Sequence, residues 1–78
     1  MSSAHQGRAH EGVVSEEEFA ATVAQAKAHY LEMPGLTLTL AQAARLLALD
    51  VVLCGEVLSS LVESRFLVRV REAFFARA

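Results

Sequence analysis

The chain is 78 residues long with a formal net charge of −2 and a single cysteine, and 54% of it is hydrophobic, fourteen of those residues being alanines that supply little core volume. A domain this size buries only about 60% of the surface its unfolded chain exposes, so its large apolar side chains must cluster, and they do so from Leu36 onward. The charge removes bulk phosphate neutralisation as a means of capturing nucleic acid, and one cysteine excludes an intramolecular disulfide and argues against a cysteine-built zinc site.

Residues 1–13 mix Ser, Gly, His, Gln and Arg without periodicity, the composition of a disordered tail. A single folded domain is expected over 14–78. It opens at Ser15-Glu16-Glu17-Glu18, a capping box in which the serine hydroxyl accepts the Glu18 N–H and the Glu18 carboxylate returns to Ser15, with Val14 and Phe19 as a hydrophobic staple. Glu16 and Glu17 complement the helix dipole, alanines carry the helix on, and Pro34-Gly35 stops it, giving a first helix over about 15–33. Phe19, Val23, Ala26 and Tyr30 form one stripe along it, expected to dock on the rest of the domain.

Leu36-Thr37-Leu38 alternates as a short strand does. Thr39-Leu40-Ala41-Gln42 is a second capping box and opens a helix over about 40–48, with Ala43, Ala44 and Leu47 on its apolar side. After a turn at Leu49-Asp50, Asp50 caps a third helix over about 51–64. Cys54, Val57, Leu58, Leu61 and the stem of Arg65 share one side of that helix; Val52, Gly55, Glu56, Ser59, Ser60 and Glu63 share the other. Residues 66–77 read as a hairpin turning at Glu72-Ala73, and alternation puts Arg69 and Arg71 on the same side of their strand.

This order of elements resembles the winged helix-turn-helix superfamily. The stretch Leu38 to Leu47 is similar to the first helix of the motif with its threonine cap, Leu49-Asp50 to the connecting turn, Cys54 to Leu61 to the second helix, and residues 66–78 to the wing. The resemblance implies an α+β, mostly helical fold: a three-helix winged helix-turn-helix with a C-terminal β-hairpin wing. It also implies that the third helix enters a DNA major groove, with Val51, Val52, Gly55, Glu56, Ser59 and Ser60 toward the bases and Arg69, Arg71 and Arg77 of the wing near phosphate. The chain departs from that pattern in two places. No Arg or Lys lies among the groove-facing positions, where Glu56 adds repulsion, and the wing turn lacks the usual Asp-Gly or Asn-Gly pair.

Cys54, on the apolar stripe, is expected to be a buried core thiol rather than a redox sensor. The acidic run at 16–18 is explained by helix capping. His5, His10 and His29 have no acidic or cysteine partners at ligand spacing, so neither metal nor cofactor is expected. No nucleophile has an evident base and no glycine-rich loop follows a strand, which argues against an enzyme. No apolar run approaches the roughly 20 residues of a membrane span, and Met1 to Gly12 lacks a secretory signal, so a cytoplasmic protein without membrane contact is expected.

Two functions fit these features. One is a small DNA-binding transcriptional regulator that contacts double-stranded DNA weakly and needs a homodimer, formed through the first helix at Tyr30, Leu31 and Met33. The other is a protein-interaction module on the same scaffold that meets a protein partner through Val51, Val52 and their neighbours. Convergence of Arg45, Arg65, Arg69, Arg71 and Arg77 on the third helix favours the first, and their dispersal the second.

Overall fold

The structure is a computed structural model that describes residues 15–77; the tail expected over 1–13, and Val14 of the staple, lie outside them. Helix α1 covers Glu16–Glu32, strand β1 Thr37–Thr39, helix α2 Leu40–Leu47, helix α3 Val51–Glu63, strand β2 Leu67–Val70 and strand β3 Ala73–Ala76. The described residues thus form an α+β unit of three helices and one antiparallel sheet in the order β1-β3-β2. The expected helices over 15–33, 40–48 and 51–64 differ from these only by their cap residues. Strand β1 begins one residue later than the alternation at 36–38 implied, because Thr39, at once the last strand residue and the cap of α2, pairs with Ala73.

The helix starts follow their side-chain caps. Ser15 Oγ accepts the Glu18 N–H at 3.1 Å, whereas the Glu18 carboxylate does not return to Ser15, so only half of the first box forms. At α2 the box is complete: Gln42 N–H donates to Thr39 Oγ1 at 3.1 Å and Thr39 N–H to Gln42 Oε1 at 2.9 Å. Asp50 accepts from the Val52 and Leu53 amides at 2.9 and 3.3 Å, satisfying two of the donors that the first turn of α3 cannot use internally.

The helix ends are tight. Helix α1 leads into a turn closed by Leu36 N–H on the Met33 carbonyl, with Pro34 second and Gly35 third at φ +89°, the signature of a type II turn. Helices α2 and α3 both end in Schellman motifs. Leu49 and Ala48 donate to the carbonyls of Ala44 and Arg45; Phe66 and Arg65 donate to those of Leu61 and Val62. The left-handed residue is Ala48 in one (φ 57°) and Arg65 in the other (φ 71°), neither a glycine. Arg65, expected to lay its stem on the apolar side of α3, is therefore outside that helix and exposed.

Helix α3 is the centre of the core. Its Cys54, Val57, Leu58 and Leu61 are buried against Ala26 and Tyr30 of α1, Ala43, Ala44 and Leu47 of α2, and Leu67 and Phe74 of the sheet. Small residues at 43 and 44 let α2 lie close to α3. Tyr30 is buried as its stripe with Ala26 predicts, and so is not part of an exposed surface with Leu31 and Met33; its ring is edge-on to Phe66 with centroids 6.4 Å apart and its hydroxyl is bonded to the Phe74 carbonyl. Leu31 and Met33 do remain exposed.

Candidate interaction face

The exposed side of α3 is flanked by two grooves. On the α1 side, Val52, Gly55, Glu56, Ser59, Ser60 and Glu63 line a shallow depression whose opposite wall is Phe19. On the hairpin side, Gly55 and Ser59 face Thr39, Leu40 and Ala41 at the start of α2, together with Arg69, Glu72 and Phe74. Gly55 and Ser59 belong to both, so the grooves meet across the smallest side chains of the helix. Val51 and Val52 stand 50% and 70% exposed in its first turn. Periodicity within α3 identified its exposed side; Phe19, a residue of another element, could not be assigned to that groove by any local signal.

Gly55 carries no local steric demand. A Cβ added there would meet only Leu40 Cδ1, at 4.0 Å, an ordinary contact. A mid-helix glycine costs roughly 0.5–1 kcal/mol relative to alanine, so the position gives up stability without any packing reason among the described residues.

The cations do not gather on this face. Arg69 pairs directly across from Phe74, on the sheet face that also carries Leu67 toward the helices. Its guanidinium spreads over the Phe74 ring at 5.6 Å, and its Nε donates to the Arg71 carbonyl at 2.8 Å. Arg71 does not share the strand with it. The hairpin turns at Arg71-Glu72, one residue before the expected Glu72-Ala73, because Val70 pairs with Ala73 and Arg71 takes φ +59°. A positive φ at the first of two central positions and not at the second is the sign pattern of a type II′ turn. Arg77 is at the other end of the hairpin, where its N–H donates to the Phe66 carbonyl.

The remaining described cations are elsewhere. Lys27 places Nζ 5.0 Å from the Phe66 ring centroid, Arg65 follows the end of α3 and lines neither groove, and Arg45 borders a separate depression with Met33, Leu36, Leu38 and Leu46. Of the positions expected to meet DNA, Val52, Gly55, Ser59, Ser60 and Arg69 thus come together around α3, Val51 adjoins them, and Arg71 and Arg77 are at opposite ends of the hairpin.

Cys54 is fully buried, and burial first, then the Asp50 carboxylate, pushes its thiol pKa up, which disfavours the thiolate that redox or ligand chemistry uses. Among the described residues no three His, Cys, Asp or Glu side chains are arranged to hold a metal ion, and no helix is long and apolar enough to cross a membrane. No known protein family, curated protein or solved structure matches the chain.

Proposed function

We propose that this chain is a winged helix-turn-helix serving as a non-catalytic protein-interaction module, with α2 and α3 as the helix pair, β2 and β3 as the wing, and the α1–α3 groove as the binding face. One observation carries the proposal: the groove pairs half-buried Phe19 and exposed Val52 with two carboxylates, Glu56 and Glu63, and among the described residues no cation lines it. Such a surface repels a polyanion and offers apolar anchors for a protein partner. The arginines also fail to converge on that face: Arg69 and Arg71 adjoin each other at the hairpin turn, Arg77 ends the hairpin, Arg65 follows the end of α3, and Arg45 borders a separate depression, which supports the same reading. A cytoplasmic setting goes with it, since the free thiol of Cys54 suits a reducing compartment.

DNA binding is the second reading, favoured by the hairpin-side groove, where Arg69 and Ser59 flank the start of α2. A single guanidinium gives one phosphate or guanine contact, so useful affinity would come only from a homodimer, for which exposed Leu31 and Met33 at the end of α1 offer apolar surface. Anisotropy of a labelled random-sequence duplex at low salt separates the two. The module shows no binding through roughly 10⁻⁴–10⁻⁶ M, the range of non-specific duplex affinity, whereas a saturating signal within it supports the regulator.

A further inference from the structure

The α1–α3 groove also carries information about what occupies it. We infer that its partner is a cationic amphipathic helix of another protein, an inference that rests on the proposed module. Glu56 and Glu63 are seven residues apart on one face of α3, two turns, or about 10 Å along the axis. A helix lying alongside would bring Lys or Arg at positions i and i+7 opposite both carboxylates. Phe19 and Val52 then receive apolar side chains from the same partner face, the usual division of labour when a helix fills a groove.

Arg69 lies beside this arrangement but does not line the groove itself. It shares a small recess with Glu63, with its Nε on the Arg71 carbonyl and its guanidinium against Phe74, and among the described residues no cation lines the groove beside Glu56. Gly55 fits the same picture. Its missing Cβ, unexplained by packing among the described residues, lowers the surface between Glu56 and Val52 where the partner's backbone comes closest.

The test is a titration of the isotope-labelled full chain with three helical peptides of one length: a Leu/Lys amphipath, a Leu/Glu amphipath with the same apolar face, and a scrambled Leu/Lys sequence. The Leu/Lys amphipath is expected to shift the amides of Val52, Gly55, Glu56, Ser59 and Glu63 and to bind about ten-fold more tightly than either control. The double variant Glu56→Lys/Glu63→Lys, both positions exposed and so compatible with folding, is expected to reverse the preference toward the Leu/Glu peptide. Gly55→Ala is expected to weaken Leu/Lys binding while raising the melting temperature of the free chain. If the Leu/Glu peptide shifts these amides as strongly as the Leu/Lys peptide, the cationic partner is refuted and the module stands. If no peptide shifts them and duplex DNA does, the module falls as well.

Discussion

The hydroxyl of Tyr30 donates to the carbonyl of Phe74 at 3.1 Å, a buried bond between α1 and the middle of the sheet. Tyr30→Phe leaves that carbonyl without its partner at unchanged volume, and the expected cost is about 1–2 kcal/mol, read from the shift in denaturant midpoint. Burial, with Cys54 as the smaller cause, pushes this hydroxyl from its ordinary 10.0 up to about 12. Because the folded value is the higher one, the stabilisation is whole below pH 10 and is lost as pH climbs from about 10 through about 12. Cys54, also pushed up, adds a loss of the same sign. Stability measured across alkaline pH is therefore expected to fall less steeply in Tyr30→Phe than in the parent, without becoming flat.

Among the described residues three that are not glycine hold positive φ: Ala48, Arg65 and Arg71. Glycine at each relieves the clash between Cβ and backbone that L-residues meet in the left-handed region, and the expected gain is about 0.5–1 kcal/mol per site after the entropy cost of glycine. All three side chains are exposed and the three turns are separate, so the gains should add. In a domain this small each is expected to raise the thermal midpoint by about 2–8 °C. Ala48→Pro, in contrast, cannot adopt φ +57° and should unfold the corner between α2 and α3.

Asp50→Ala removes both amide contacts at the start of α3 and is expected to cost about 1–2 kcal/mol by chemical denaturation. Ser15→Ala should cost less, since Ser15 accepts a single bond at the outer end of α1. The comparison checks whether the corner or the first helix limits stability.

Leu58 is fully buried at the centre of α3, and Leu58→Ala is expected to cost about 2–5 kcal/mol, enough to leave a domain of marginal stability largely unfolded at room temperature. Val52→Ser, on the opposite side of the same helix, should leave the melting curve within about 0.5 kcal/mol of the parent. A circular-dichroism melt of the two variants distinguishes the core side from the binding side.

Much of the fold was legible because its signals are local. Ser15, Thr39 and Asp50 announce helix starts through bonds that span two or three residues, and the stripes Phe19-Val23-Ala26-Tyr30 and Cys54-Val57-Leu58-Leu61 follow helical period. What escaped depends on contacts between distant elements. The hairpin turn shifted by one residue because Arg71, with nothing in its chemistry to favour positive φ, occupies the position a glycine would have marked. Tyr30 fitted both the packing stripe of α1 and an apolar surface with Leu31 and Met33, and the bond of its hydroxyl to the Phe74 carbonyl places it with the stripe. The apparent basic edge of Arg69 and Arg71 dissolved because one guanidinium stacks on Phe74 while the other residue leaves the strand. Within the candidate site, the α3 side could be read from spacing, whereas Phe19 entered only through tertiary packing.

The central claim is that the α1–α3 groove meets protein and not DNA. Its most direct measurement is photo-cross-linking in native cells from a benzoylphenylalanine replacing Val52, with the same group at exposed Leu31 as the control and identification of the adducts by mass spectrometry. The proposed module predicts one protein adduct specific to position 52 and lost in the Glu56→Lys/Glu63→Lys background. A nucleic-acid adduct at position 52, or protein adducts identical to those from position 31, would contradict it.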